Sequence, residues 1–197
     1  VGEAVFGLVV ELDFVGDERL RQESGEGGGR HLFMFASCVT CPTAMSIFEL
    51  PSDDPWSAYA RLTVAIRRPN LGDLAVQPAP RGEAGQWPWP TAEPVAILTA
   101  WDPGDERPGL EVNRLRQSEL EGDVRALGAD MWSAEGTDPV TGDRDEGVAV
   151  RGVPEPVVLE LGARYGQDAV FLWTPAEWAI VACTGARRVA SGWQLLP

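Results

Sequence analysis

Residues 94–101 read PVAILTAW, an almost unbroken apolar run. A strand with one wet face alternates apolar and polar residues, whereas a continuous apolar run predicts a strand covered on both faces. Working outward from it, ARLTVAIRR (60–68) does alternate, with Leu62, Val64 and Ile66 on one face, and PNLGD turns the chain into a short second strand, LAVQP. The proline- and tryptophan-rich APRGEAGQWPWP that follows reads as an ordered loop. Beyond the run, Asp102-Pro103-Gly104 makes a turn, and a helix is predicted from Leu110 to Leu127, stopped by Gly128.

The rest continues in the same manner. ADMWSAEG is a weak strand, TDPVTGDRDE an acidic, turn-rich loop and GVAVRGV (147–153) a further strand. Pro154 suits the first position of a second helix, which has Val157, Leu161 and Tyr165 along one face and Gly166 at its end. QDAVFLW, WAIVACTG and RRVASGWQLLP form a closing meander, the last strand cut by Gly192. Strands outnumber helices and cluster in hairpins, so the expected class is α+β: one twisted, mostly antiparallel or mixed sheet with two main helices packed on it.

Composition narrows the function. The chain has 197 residues, 44% of them hydrophobic, enough for a sizeable core. It carries 30 acidic and 16 basic residues for a net charge of −14, and every basic residue is arginine. The absence of lysine excludes Schiff-base chemistry and a phosphate-loop lysine. The acidity argues against a nucleic-acid partner and suits, if any macromolecule, a basic protein. No apolar run reaches the ~18 residues of a membrane-crossing helix, and a cytoplasmic location is expected.

Residues 1–44 read as a doubtful N-terminal extension, with RQESGEGGGRHLF as a linker and Met45 as the expected true start. The competing reading makes AVFGLVVELDF and HLFMFASCV two strands of a genuine extension. Residues 45–197 are then a single α+β domain. The extension holds the only histidine, His31, and the pair Cys38 and Cys41. Zinc usually requires a second pair, and the remaining Cys183 is isolated, so no metal and no cofactor are expected.

The first helix poses the functional question. Leu120, Val124 and Leu127 make an apolar stripe, yet Asn113 and Arg116 fall within it and Gln117 at its edge. These polar residues emerge just after Trp101 and Asp102, where the buried strand ends. With Trp101 as a wall, Asp102, Asn113, Arg116 and Gln117 are candidates to line a small polar cleft. The alternative is structural: Asn113 bonds the backbone of the 102–109 loop, and Arg116 pairs with Asp102 or Asp123.

The stretches ILTAWDPG (97–104), EVNRLRQSEL (111–120), WSAEGTDP (132–139), DEGVAVRGV (145–153) and ARYGQDAVFLW (163–173) together resemble the bacterial domain-of-unknown-function family 3293. The resemblance runs from about Trp56 to Trp178 and leaves residues 1–44 outside. It places the family pattern on Thr99, Ala100, Pro103, Asn113, Gln117, Glu146, Gly166 and Gln167, and adds Glu146 and Gln167 to the candidate ligand-binding set. Asp102 departs from it, standing where the family commonly has asparagine. The resemblance implies no activity.

Three functions follow as expectations. The first is binding of a small polar ligand at the start of the first helix. The second is a carboxylate-based enzyme using Asp102 and Glu146 as acid and base, since no histidine or lysine serves the domain. The third is an acidic protein-interaction module anchored by exposed tryptophan. Trp87 and Trp89 of the GQWPWP loop either lid the cleft or pack over the sheet edge.

Overall fold

The computed structural model describes residue 50, residues 54–104 and residues 106–197, which lie in the unit Cys41–Pro197. The readings made on residues 1–44, on Met45 as a start and on His31, Cys38 and Cys41 lie outside the described residues.

Eight strands alternate with turns set by glycine, proline and asparagine: β1 (Thr63–Arg67), β2 (Leu74–Ala79), β3 (Val95–Thr99), β4 (Asp130–Thr137), β5 (Arg144–Arg151), β6 (Ala169–Trp173), β7 (Trp178–Ala182) and β8 (Arg188–Leu195). Two helices interrupt them, α1 (Leu110–Ala126) and α2 (Glu155–Arg164), and two short 3-10 turns, Pro55–Ser57 and Tyr59–Arg61, precede β1. Every pairing between these strands is antiparallel, and the order β1-β2-β8-β7-β6-β3-β5-β4 returns to its start because β4 also pairs with β1, from Thr63↔Thr137 to Arg67↔Ser133.

The architecture is therefore a closed eight-stranded barrel, which corrects the expected α+β class with its open, twisted sheet. The physical reason is that a barrel strand beneath a helix is dry on both sides. One face points into the bore and the other lies under the helix, so PVAILTAW reads as a central sheet strand although no such sheet exists. Closure also leaves no edge strand to be blunted.

The two faces form two cores. Val64, Ile66, Val76, Val95, Ile97, Ala134, Ala149, Trp173, Trp178, Ile180 and Trp193 fill the bore. Outside it, Ala96, Leu98, Val148, Val150, Leu172 and Val181 meet Leu120 and Val124 of α1, Val158 and Leu161 of α2, and Tyr165, which caps α2. Leu127 and Val112, by contrast, are exposed; the buried stripe of α1 is Asn113, Gln117, Leu120 and Val124.

Tryptophan fills one half of the bore. Trp132 packs on Trp89, Trp89 on Trp173, and Trp173 on Trp87, Trp178 and Trp193, with ring centroids 4.6–6.2 Å apart. Most of these pairs meet edge to face, the arrangement the ring quadrupoles favour. Arg68 and Arg151 lie over Trp89 at 4.8 and 5.8 Å. Trp87 and Trp89 thus belong to the packed half of the barrel. Gly192 does not cut β8; a Cβ there would stand 2.2 Å from the carbonyl oxygens of Pro80 and Glu83, so glycine admits the loop that covers the strand. No helix among the described residues is long and apolar enough to cross a membrane.

Candidate functional site

The half of the bore without tryptophan is open. A cavity of about 440 Å³ enters the barrel where β3 ends, with Val64, Ile97, Phe171 and Ile180 as an apolar floor and Tyr59, Thr99, Asp102 and Asp145 among its polar walls. Its room comes from small inward residues. On β5 the inward positions are Asp145, Gly147 and Ala149, and across the β4–β5 pairing Asp145 faces Gly136, where an added Cβ would meet no atom within 4 Å.

One rim of this cavity is the 99–104 loop, and an unusual share of polar side chains is spent on holding it. The Thr99 hydroxyl donates to the Glu146 carbonyl at 2.7 Å and accepts the Trp101 N–H at 3.0 Å. Gln117 Oε1 accepts the Ala100 N–H at 3.1 Å, and Arg116 Nε donates to the Ala100 carbonyl at 3.1 Å. Arg116 also donates to the Tyr165 carbonyl at 2.5 Å, tying the loop to the end of α2. Asn113 Oδ1 accepts the Asp102 N–H at 3.1 Å while its Nδ2 donates to Asp102 Oδ1 at 2.8 Å. Gln167 Nε2 donates to the Trp101 carbonyl at 2.7 Å, and the Gly104 N–H donates to the Gly166 carbonyl at 2.9 Å.

The polar face of α1 is explained by these bonds. Asn113 and Gln117 are each 3% exposed, and a loop whose backbone groups they left unpaired would be costly to bury. They hold the loop from behind and do not line the cavity, nor does Arg116. Trp101, Asp102 and Gln167 do line it. Glu146 projects from the outward register of β5, where its carboxylate lies 3.6 Å from Arg114. The structure thus brings three of the seven sequence-derived candidates to the cavity and places the other four behind or outside it.

Asp102 adopts a left-handed φ of 43°, a conformation that asparagine and aspartate tolerate better than other non-glycine residues. Its bond to Asn113 uses the carboxylate only as an acceptor, which an amide oxygen would do as well. Aspartate in place of the asparagine that the resemblance implies therefore keeps this acceptor and adds a charge, set 3.5 Å from Arg107.

Sequence reasoning missed Asp145, which was assigned to the acidic loop. The signal was the strand period: two residues before Gly147 and four before Ala149, Asp145 shares their inward face, and Glu146 cannot. Burial raises the pKa of the Asp145 carboxyl, and the charges of Asp102 and Asp143 add to the rise while Arg107 opposes it. Tyr59, raised chiefly by its own burial, also feels Asp168 and Asp145. Asp138 behaves oppositely: bonded by Arg61 at 2.6 and 2.9 Å, it is lowered to about 2. No group of three or more histidine, cysteine, aspartate or glutamate side chains among the described residues is placed to hold a metal ion.

Neither the curated proteins nor the solved structures hold a match to this chain. Residues 98–170, from near the end of β3 to the start of β6, match the model of the family described as Protein of unknown function (DUF3293), the family that the sequence motifs resemble, and all eight motif positions fall within the matched segment.

Proposed function

We propose that this protein binds a small polar ligand in the barrel-end cavity, with the 99–104 loop as a pre-organised rim. The observation that carries the reading is convergence. Thr99, Asn113, Gln117, Gly166 and Gln167, five positions of the family pattern, all bond the backbone of one six-residue loop, and the far side of that loop is a cavity. Buried polar supports spent on a loop are the means by which a binding group is held within a fraction of an ångström. The cavity volume is also in the range that small-molecule sites occupy.

The test is a fragment screen by ligand-observed NMR on the full chain and on Gly136→Leu, whose side chain would enter the cavity. Hits that vanish in the variant support the reading. Hits that persist unchanged, or a screen without hits, refute it.

A carboxylate-based reaction is the second reading. Asp102 and Asp145 line one cavity, and the raised pKa of Asp145 suits an acid. Asp145 takes the place that the sequence assigned to Glu146. Turnover lost in Asp145→Asn with ligand binding retained would separate this from binding alone. A cytoplasmic setting belongs to the same proposal, supported by the free, half-buried thiol of Cys183, and cell fractionation tests it.

A further inference from the structure

We infer that the ligand of this cavity is an organic monocation: a primary amine or guanidinium on a short apolar body, the charged head against Asp145 and the body over Val64, Ile97, Phe171 and Ile180. The inference rests on the ligand-binding reading and adds its chemistry.

The charges around the cavity decide the head group. Both arginines that line the cavity are already in ion pairs, Arg107 with Asp102 and Arg144 with Glu135, each at 3.5 Å. Asp138 is taken by Arg61. Asp145, on the inner face of the barrel wall, has no hydrogen bond and no ion pair among those of the described residues, and the position opposite it is a glycine. A carboxylate drawn partly out of water has lost solvation that no hydrogen bond or ion pair among the described residues repays, and the charge of Arg107 offsets it only in part. A ligand cation repays it, and an anion would instead meet the same uncompensated charge. A bare metal ion is the poorer fit, since hard cations require several oxygen ligands and no such group converges among the described residues. The floor decides the remainder. Four apolar side chains below the unpaired carboxylate of Asp145 match a molecule with a charged end and a hydrocarbon end better than they match a sugar.

Isothermal titration of the full chain with 4-phenylbutylamine, 4-phenylbutanol and 4-phenylbutyrate holds the skeleton constant and varies the head. The amine is expected to bind at least about tenfold more tightly than the other two, the discrimination a paired and partly desolvated charge provides. Asp145→Asn should weaken the amine by about tenfold or more while changing the alcohol by less than about twofold. Gly136→Leu should abolish binding of all three. Alcohol or carboxylate binding as tightly as the amine, with loss in Gly136→Leu, would overturn the cation assignment and leave the cavity reading in place. No binding of any probe, or binding indifferent to Gly136→Leu, would remove both. Amine binding insensitive to Asp145→Asn would overturn the role of that carboxylate.

Discussion

Asn113 and Asp102 exchange two hydrogen bonds across eleven residues, the amide oxygen accepting the Asp102 N–H and the amide nitrogen donating to its carboxylate. Each group of the amide is used, and the pair joins the first turn of α1 to the strained residue at the cavity rim. Asn113→Ala strands a buried N–H and removes a partner of the carboxylate. The expected loss is about 1–3 kcal/mol, read as a lower melting temperature at about 2–4 °C per kcal/mol. Asn113→Asp should cost at least as much near neutral pH, because it sets a second carboxylate against the first. A melting temperature unchanged by either substitution would contradict the bracing role.

Gly166 is held at φ +76°, and a Cβ there would stand 2.7 Å from Pro103 Cβ. Gly166→Ala therefore combines a left-handed backbone with a contact that pushes the rim toward the cavity. We expect a destabilisation above about 1 kcal/mol in thermal or urea unfolding. Gly122→Ala, exposed space in the middle of α1, serves as the control and should be neutral or stabilising.

Asp145 predicts a pH dependence of stability. Its carboxyl is raised in the folded protein, so its contribution favours folding while it is protonated and is lost as the pH rises through the folded value. Asp145→Asn should then be more stable than the parent near pH 7, by about 0.5–2 kcal/mol, the usual return for relieving a site held for function. The advantage should shrink as the pH falls and the parent's carboxyl protonates. Melting curves of both proteins across the acid range check this, and a parent that is more stable at pH 7 would contradict it.

Asp138 predicts the opposite slope. Its carboxyl is lowered from 3.8 to about 2, first by the hydrogen bonds from Arg61 and with help from the Val140 N–H, so its stabilisation is complete above the ordinary value and is lost as the pH falls through about 2. Asp138→Asn should lower the melting temperature at neutral pH and flatten its fall between about pH 4 and 2. An acid limb identical in the two proteins would show that the Arg61 pair contributes nothing to the fold.

All eight strands and both helices were legible in the sequence, because each is a periodic or apolar run bounded by its own breakers. The barrel was not legible. Closure depends on β4 meeting β1 and β2 meeting β8, pairings between segments far apart in the chain that leave no local mark. Runs such as WAIVA, buried at every position, even argued against it, since helices outside and a filled bore inside make a barrel strand resemble a central one. The candidate site was half legible for a related reason. The helix period exposed Asn113 and Gln117 as polar residues in a buried stripe, but period cannot say whether such residues face a ligand or a loop. Asp145 was hidden by its company, since TGDRDE has the composition of a turn even though its last residues already follow the strand alternation.

The tryptophan-filled half of the bore has a consequence for traffic. With that end stoppered, the barrel is a blind well and not a conduit: a ligand bound as proposed would leave beside Thr99 by the way it came, and a second would wait until the first had gone. Entry and exit would then share one mouth, of which the 99–104 loop is one rim. Loosening that rim should quicken both rates together, changing residence time far more than affinity.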